Sequence, residues 1–489
     1  MFLRHIPPRL HTPLSWSSRS LVAPMPLRAK VTNPAFGRML ATAPEPPKEL
    51  PGDEPDDVLF HSHYGVRLIE LNRPKKLNSL NGSMARKILP RLLEWEKSQL
   101  ANVVMVSGAG EKAFCAGGDV AALAKWNQEG PKGQQKSTDY FGLEYQLDHV
   151  IATYTKPYVA VMDGITMGGG VGLSVHAPFR IATERTLFAM PETTIGFFPD
   201  VGGSFFLSRL DGEVGTYLGL TSERLDGVQA LYSGIATHYM HSSVLGNLTN
   251  RLSELVFNDS AKLDERLTLV NKTINEFSTG LPQEPILLRY KLRQAIDRCF
   301  QHNTIEEIFA ALEEEKDQKP WAQKTLKTLS ERSPTSLKVT LRQLRLGRDW
   351  TIDEAFRREH AIAAHFMRHP DFVEGVSAKL IAKPPKNPEW KPSRLTDVKA
   401  SDVNEFFKAP EEELALFNRD SYANYPHAKY ALPSEDDIGK FVRESEGAGH
   451  SIVTEFANTW GQKEGVKAKL TDVLGRRTVK TDDGYKWIE

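Results

Sequence analysis

The chain has 489 residues, which is enough for two or three domains or for one large core with attached segments. Lysine plus arginine equals aspartate plus glutamate at 62 each, so no global charge attracts nucleic acid or an anionic membrane, and direct nucleic-acid binding is not expected. The two cysteines, Cys115 and Cys299, suggest no disulfide framework and lie in no metal-ligand spacing. The sequence therefore predicts no metal site, and any anionic ligand must be bound by a local cationic patch.

The N-terminal residues 1–44 have the composition of a mitochondrial transit peptide. They contain arginines and lysine with serines between them, and no acidic residue precedes Glu45. A basic arm for nucleic acid is the alternative, although the segment lacks a run of lysines. Residues 45–57 combine prolines with acids and predict a linker. The folded chain is therefore expected to begin near Val58 and to work in the mitochondrial matrix.

Residues 58–284 alternate between strand and helix patterns, which predicts an α/β core with a largely parallel sheet. Strands are predicted at 65–71, 103–107 and 158–162, a strand pair at 179–183 and 186–190, and a helix containing Pro90 at 83–99. The apolar stretch 158–175 is interrupted by Asp163 and by glycines. It therefore predicts a strand, a turn and a helix start, and no membrane span is expected.

Residues 285–409 change to the pattern of amphipathic helices. A capping-box sequence runs from Thr304 to Glu307, immediately before an apolar helical repeat. Residues 410–489 form a predicted accessory tail rich in charges and aromatic side chains. The apolar content of this tail is sufficient for docking on another surface.

Two glycine-rich turns are candidate backbone donor sites. Segment 116–119 (Ala-Gly-Gly-Asp) and segment 164–170, which ends in three glycines, each follow a buried strand pattern and precede a helical pattern. Free N–H groups at such a helix start carry partial positive charge, and two that converge form an oxyanion hole. Each turn alone is equally consistent with close helix packing. The neighbouring segment 108–113 only loosely fits a dinucleotide-binding pattern, because more loop follows it instead of a helix.

Two carboxylates, Glu192 and Asp200, each follow a proline in an apolar segment just downstream of these turns. Apolar neighbours desolvate a carboxylate and raise its pKa. Buried acids that cap helices or pair with arginine show a similar pattern. Beside two donor turns, however, the pair favours chemistry on a carbonyl, with Glu192 as general base or nucleophile. Cys115 is not favoured as a nucleophile, because no histidine lies near it in the sequence.

Together these segments resemble the crotonase (enoyl-CoA hydratase/isomerase) superfamily. The resemblance rests on residues 71–80 (Leu-Asn-Arg-Pro-Lys-Lys-Leu-Asn-Ser-Leu), on residues 113–119 (Ala-Phe-Cys-Ala-Gly-Gly-Asp) and on the triple glycine. It implies a superhelix of ββα turns, a helical C-terminal region with an extra tail in this chain, and a homo-oligomer. It also implies that the N–H groups of Gly118 and Gly169 are the oxyanion-hole donors.

Within the superfamily the chain resembles the 3-hydroxyisobutyryl-CoA hydrolases more than the hydratases. Hydratases carry a glutamate where this chain has Gly172, so one acid needed for adding water across a double bond is missing. Glu192 is retained, and Asp200 stands where hydratases usually have glycine. The match continues through residues 333–340 and 371–376, and it runs from about Val58 to Phe407.

This resemblance implies hydrolysis of 3-hydroxyisobutyryl-CoA to 3-hydroxyisobutyrate and CoA in valine catabolism, without a separate cofactor because CoA belongs to the substrate. Asp200 is expected to bind the 3-hydroxyl or to orient water, and Glu144 is expected to line the acyl pocket. Lys75, Lys76 and Lys112 are candidates for the CoA phosphates, although loop lysines are often only solvated. Direct attack by Glu192 and activation of water by Glu192 both stay open.

Two other functions also stay open. An enoyl-CoA hydratase or isomerase is disfavoured by Gly172. A structural role in a mitochondrial assembly is the alternative from another class, because the tail extends past the part that resembles the hydrolases. Fungal members of this family resemble proteins that are recruited to the mitochondrial small ribosomal subunit. Since the net charge is zero, such recruitment is expected to use protein contacts.

Overall fold

The computed structural model describes residues 44–488, except 259, 283–285, 411, 446–451, 462 and 482–483. The predicted transit peptide, apart from Pro44, therefore lies outside the described residues. The strands are β1 (Val58–His63), β2 (Val66–Leu71), β3 (Val103–Gly108), β4 (Ala113–Cys115), β5 (Tyr158–Met162), β6 (Ile165–Met167), β7 (Phe179–Ala182), β8 (Leu187–Ala189), β9 (Leu225–Asp226), β10 (His238–Tyr239), β11 (Thr478–Thr481) and β12 (Gly484–Trp487). They form a six-stranded sheet, a four-stranded sheet and a C-terminal hairpin.

Helices connect and follow these strands. Those of the core are α1 (Gly82–Lys97), α2 (Val120–Gln128), α3 (Pro131–Ala152), α4 (Gly169–Val175), α5 (Gly203–Phe206), α6 (Val214–Thr221), α7 (Gly227–Tyr232), α8 (Leu245–Ser253) and α9 (Leu263–Asn275). The C-terminal helices are α10 (Tyr290–Phe300), α11 (Ile305–Glu314), α12 (Lys319–Ser330), α13 (Pro334–Gly347), α14 (Ile352–Phe366), α15 (Pro370–Val376), α16 (Ala400–Glu405), α17 (Glu435–Glu444), α18 (Ile452–Thr459) and α19 (Val466–Arg477). No helix among the described residues has the length and apolar character needed to cross a bilayer.

The six-stranded sheet has the order β1-β2-β3-β5-β7-β10, and all its pairs except β1/β2 are parallel. Its central strands are buried on both faces. In β3, Val104 and Val106 belong to an apolar cluster with α1 and α3, whereas Val103 and Met105 belong to another with α8 and α9. This explains the continuous apolar runs in the sequence, because a sheet covered on both faces needs no polar alternation.

The four-stranded sheet, in the order β4-β6-β8-β9, positions the glycine turns. Its strands have only two or three residues each. β4 and β6 are parallel neighbours, so the turns that follow them leave the same edge of the sheet. α4 starts directly in the second turn, and α2 starts just beyond the first.

One topological prediction from the sequence is wrong. The segments at 179–183 and 186–190 are strands, but they do not pair with each other. β7 joins the six-stranded sheet beside β5, whereas β8 joins the four-stranded sheet beside β6. The turn between them is closed by bonds from Thr183 N to Thr186 Oγ1 (2.8 Å) and from Thr186 N to Thr183 O (3.2 Å). This turn passes the chain from one sheet to the other, which local strand propensity does not encode.

The helical region after residue 285 is confirmed, including the predicted cap. The Thr304 side chain accepts a bond from the N–H of Glu307, whose carboxylate accepts one from the N–H of Thr304, at the start of α11. Helices α13 and α14 pack against the segment that follows β8, so the C-terminal region contributes to the same core as the sheets.

The tail docks on the protein's own core. Tyr425 donates a hydrogen bond to Ala177 O (2.6 Å) and accepts one from Arg180 (2.9 Å). Tyr430 packs against Phe179 of β7, with ring centroids 5.0 Å apart. These aromatic side chains, which suggested a docking surface, thus pack against the protein's own core.

A buried ionic cluster holds the end of the tail. The carboxylate of Glu435 pairs with Arg293 of α10 (3.0 Å) and with Arg476 of α19 (2.7 Å). Lys469 pairs with Asp211 at 2.8 Å. Positive and negative side chains alternate across the contact, which satisfies the charges that docking removes from water.

Candidate active site

A cavity of about 440 Å³ lies where the two glycine turns, α3 and the segment after β8 meet. Five of the residues proposed from the sequence line this cavity, namely Gly118, Glu144, Gly169, Glu192 and Asp200. Apolar side chains form much of the rest of the wall: Val120, Leu123, Phe141, Met167, Ile195 and Phe197. The cavity therefore combines a small polar cluster with a largely apolar lining, as ligand sites usually do.

The two glycine turns meet at the inner wall. A Cβ built on Gly169 would lie 3.5 Å from the backbone nitrogen of Gly118. Gly118 forms a backbone β-bridge with Leu80. The donors of this bridge are the N–H groups of Leu80 and Asp119, so the N–H group of Gly118 is not used in it. Gly169 is the first residue of α4, where a helix leaves its N–H without an internal acceptor. Neither N–H group is therefore used by the bridge or by the helix, and both glycines line the same cavity.

Three carboxyl groups surround this point. The Glu144 Oε1 atom lies 2.3 Å from the Cβ position of Gly169, and the Glu192 Oε1 atom lies 3.1 Å from that of Gly168. Asp200 accepts a hydrogen bond of 2.7 Å from the Tyr145 hydroxyl. All three acids are at most 5 % exposed, and none forms an ion pair within the described part of the chain.

Burial without a cation raises the pKa of each acid. Desolvation, followed by the charge of Asp200, raises the pKa of Glu144 and of Glu192 well above the usual range for glutamate. Desolvation raises the pKa of Asp200 to about 7, against the opposing effect of the Tyr145 hydrogen bond. With a pKa of about 7, Asp200 populates both its protonated and its ionised form at neutral pH, as proton transfer requires.

A fourth buried acid, Asp148, lies one helical turn beyond Glu144 on α3. A Cβ on Gly172 would lie 2.5 Å from Asp148 Oδ2, so the glycine leaves the space that this carboxyl fills. Neither carboxyl oxygen of Asp148 has a hydrogen-bond partner. Desolvation, then the charge of Glu144, raises the Asp148 pKa well above its usual range.

The predicted lysines do not line the cavity. Lys75 and Lys76 lie in a one-turn helix on the surface, and Lys112 is exposed just before β4. The cations that do line the cavity are Arg224, Arg332 and Lys379. A role of the three lysines in binding CoA phosphates stays a prediction.

Other reactive groups near the site are unsuited to nucleophilic or metal chemistry. Burial raises the pKa of the Cys115 thiol to about 12, so it is protonated at neutral pH and weakly nucleophilic. No group of three or more histidine, cysteine or acidic side chains within the described residues is arranged to hold a metal ion. The absence of a cofactor stays a prediction.

Several residues that support the site were missed by sequence reasoning. Asp148 and Tyr145 lie close to Glu144 on α3, and the spacing of four residues between the two acids is a signal that places them on one helix face. Glu359 of α14 and Gln343 of α13 contact the turn that carries Asp200. No local signal identifies them, because they are distant in the sequence and resemble ordinary polar positions of amphipathic helices.

Comparison with known proteins agrees with this architecture. The family profile described as enoyl-CoA hydratase/isomerase matches residues 66–407. The "3-hydroxyisobutyryl-CoA hydrolase, mitochondrial" of Gallus gallus is 44 % identical over 73 % of this chain and 90 % of that protein. The "small ribosomal subunit protein mS47" of Neurospora crassa is 54 % identical over 96 % of this chain and 94 % of that protein. A carnitinyl-CoA dehydratase structure from Mycobacterium thermoresistibile has a TM-score of 0.66 and 33 % identity, and the match covers 75 % of this chain and all of that one.

The chain belongs to the enoyl-CoA hydratase/isomerase family, and the expected crotonase-like fold is confirmed. The resemblance to 3-hydroxyisobutyryl-CoA hydrolases is confirmed as well. The mitochondrial location predicted from the first residues agrees with the names of these relatives, and the protein is mitochondrial.

Proposed function

We propose that the protein hydrolyses a 3-hydroxyacyl-CoA thioester, specifically 3-hydroxyisobutyryl-CoA, in the mitochondrial matrix. The observation that carries this proposal is the convergence of Glu192, Asp200 and Glu144 on the N–H groups of Gly118 and Gly169 in one cavity. An acyl-CoA substrate is supported by the family, and the finer substrate by relatives named as hydrolases of this thioester.

The chemistry requires a carbonyl oxygen at the two N–H groups. As the carbonyl is attacked, its oxygen becomes negative and is stabilised by Gly118 and Gly169; a donor of this type contributes about 10²–10³ in rate. The C–O bond forms, the C–S bond breaks, and the CoA thiolate takes a proton. Water supplies the oxygen and the proton, so the products are the free acid and the CoA thiol.

Glu192 takes part by one of two routes. As a general base it removes a proton from water and returns it to the leaving thiolate. As a nucleophile it forms an anhydride, which water then cleaves. A single turnover in H₂¹⁸O detects the anhydride route when water attacks the Glu192 carbonyl, because that attack places ¹⁸O in the Glu192 side chain, whereas the general-base route places it only in the product acid. Peptide mass analysis reads this label directly.

Asp200 would recognise the 3-hydroxyl group of the substrate. Its ionised carboxylate is a hydrogen-bond acceptor that is held by Tyr145 and lines the cavity. A site built to bond a hydroxyl rejects an analogue without it, because the buried acceptor then loses its partner. The proposal thus expects 3-hydroxyisobutyryl-CoA to be preferred over isobutyryl-CoA.

The test is release of free thiol from a set of thioesters. Purified protein is given 3-hydroxyisobutyryl-CoA and isobutyryl-CoA, and hydration of crotonyl-CoA is followed separately. Glu192→Gln is expected to abolish most thiol release, whereas Glu129→Gln, an exposed acid of the same core, is the matched control. Hydration of crotonyl-CoA without thiol release, or full activity of Glu192→Gln, would overturn the proposal.

A second function, association with the small ribosomal subunit, is favoured by one specific observation. The similarity to the mS47 protein of Neurospora crassa extends over 96 % of this chain, whereas the hydrolase of Gallus gallus matches 73 %. Since Tyr425 and Tyr430 face the core, a partner would contact exposed tail residues instead. The C-terminal hairpin offers Val479 (53 % exposed) and Ile488 (47 % exposed), with Lys480 beside them.

Sedimentation of the full-length protein in mitochondrial extract tests this association. Migration with the small subunit that shifts when EDTA dissociates ribosomal particles is the expected result. Lys480→Glu combined with Lys486→Glu is expected to weaken this migration with the small subunit. The control is the same replacement of Lys97 and Lys125, which are exposed on the core. Migration only as a small oligomer in Mg²⁺ and in EDTA would refute the association.

A further inference from the structure

The turn that carries Asp200 has an unfavourable backbone conformation. The next residue, Val201, has φ of 53°, in the left-handed region that β-branched side chains rarely adopt. Gly202 follows with φ of 81°. Such a residue is strained and persists only where its surroundings impose it. The position of Asp200 therefore depends on contacts from outside the turn.

Those contacts come from three helices and bond the backbone on both sides of Asp200. Gln343 of α13 donates from Nε2 to the carbonyl of Pro199 at 2.8 Å. His176, at the end of α4, bonds through Nε2 to the carbonyl of Val201 at 2.8 Å. Glu359 of α14 accepts from the N–H of Gly202 at 2.7 Å and from the N–H of Ser204 at 2.8 Å.

Glu359 is the central member of this set. It is completely buried, forms no ion pair among the described residues, and also accepts a bond from the Ser204 hydroxyl. Three of its hydrogen bonds are thus directed at the turn after Asp200, and a longer one comes from Gln343 (3.5 Å). Burial raises the pKa of Glu359 to about 8, and the hydrogen bonds from Ser204 and Gly202 oppose this rise by stabilising the carboxylate.

We propose that Glu359, assisted by Gln343, is a positioning residue that fixes the carboxylate of Asp200 in the cavity and thereby sets the preference for a 3-hydroxyacyl group. Helices α13 and α14 then determine substrate selection without contacting the substrate. This inference rests on the proposed function for its kinetic readout. It goes beyond that function because Glu359 does not line the cavity.

The variant Glu359→Gln tests the proposal, because an amide is nearly isosteric but cannot accept bonds at both terminal atoms. The measured quantity is the ratio of kcat/KM for 3-hydroxyisobutyryl-CoA to that for isobutyryl-CoA. The ratio is expected to fall about tenfold or more, since a displacement of about 1 Å can cost up to about 10²-fold. Gln343→Met, which loses the bond to Pro199 (2.8 Å) and the longer one to Glu359 (3.5 Å), is expected to lower the ratio in the same direction.

Glu315→Gln is the matched control. Glu315 is also a buried glutamate that accepts two backbone N–H groups of a turn, from Asp317 (2.8 Å) and Gln318 (3.0 Å), and it also pairs with Arg298 (2.8 Å). Unlike the turn at Asp200, the turn at Asp317 and Gln318 contributes no residue to the cavity. If buried turn-capping acids act only through stability, Glu315→Gln and Glu359→Gln will leave the ratio equally unchanged. That result would overturn the proposal.

A double variant tests whether Glu359 acts through Asp200. Asp200→Asn alone should lower the ratio, and adding Glu359→Gln should lower it little further. Independent, multiplying effects would contradict the proposal. If the wild-type protein hydrolyses neither thioester, the proposed function is refuted but the positioning role is not. The positioning role is then tested by crystal structures of the variants. Loss of the 2.7 Å bond between Tyr145 and Asp200 in Glu359→Gln, but not in Glu315→Gln, is then expected, and its retention would refute the role.

Discussion

Substitution of Gly169 by alanine tests the geometry of the proposed oxyanion hole. The added Cβ would lie 2.3 Å from Glu144 Oε1, 3.4 Å from Leu80 Cδ2 and 3.5 Å from the nitrogen of Gly118. The last two distances are ordinary contacts, so the backbone can remain in place. The Glu144 carboxyl, however, must move by about 1 Å to reach an ordinary distance of 3.4 Å. The methyl group also occupies the space in front of the Gly118 N–H group.

The expected loss follows from these two effects. Removing one oxyanion-hole donor costs about 10²–10³ in kcat, or about 2.7–4 kcal/mol of transition-state stabilisation. We expect Gly169→Ala to lower kcat for thiol release by at least about 10²-fold. Stability should change little, because helix α4 gains a better helix former while the clash is confined to the far end of one side chain.

The assay is thiol release under saturating 3-hydroxyisobutyryl-CoA, together with urea unfolding of the same preparation. Gly246→Ala is the matched control, since Gly246 lies in helix α8 and a Cβ there has nothing within 4 Å. This control should keep wild-type activity. A folded Gly169→Ala protein with kcat within about threefold of wild type would refute the assignment of the oxyanion hole, because the expected loss of one donor is about 10²-fold or more.

Four further outcomes are expected. Glu192→Gln should lower kcat by about 10²–10⁴-fold, measured by thiol release, as loss of a general base does. The value of kcat/KM should rise with pH through about 7 because the acceptor form of Asp200 is ionised, and Asp200→Asn should remove this rise. The folded pKa of Asp200 exceeds its unfolded value of about 3.9, so its contribution to stability falls as pH rises from about 4 to about 7. Asp200→Asn should therefore lose less thermal stability than wild type over that pH range. Glu435→Gln should lower the free energy of unfolding, measured in urea, by about 3–5 kcal/mol because Arg293 and Arg476 lose a buried partner. These cations lower the pKa of Glu435 against the effect of its burial, so the stabilisation is present above about pH 4.3 and is lost as pH falls further. An unchanged urea midpoint would contradict the last expectation.

Local sequence predicted the parts of the site that depend on short segments. The glycine turns were recognisable because a triple glycine between a strand pattern and a helix pattern leaves few other conformations. Glu192 and Asp200 were recognisable because carboxylates are rarely buried in an apolar segment unless they have a binding or catalytic role or a charged partner. In the structure these residues, with Glu144, line one cavity.

The sequence did not predict which strands pair after β7 or what the tail contacts. Both depend on partners far away in the chain, such as β6 for β8 and Ala177 for Tyr425. The aromatic content of the tail was correctly associated with docking, but composition does not say whether the partner is another molecule or the same chain.

By itself, the sequence determined the fold class, the chemical groups of the site and their order along the chain, because these follow from local backbone preferences and from apolar patterning. Only the tertiary structure decided how those groups are held. Asp148 fills the space that Gly172 leaves, and Glu359 bonds the turn after Asp200 across more than 150 positions of sequence. Such contacts are made by packing between distant helices, and the free energy of burying a carboxylate depends on which donors that packing brings within reach.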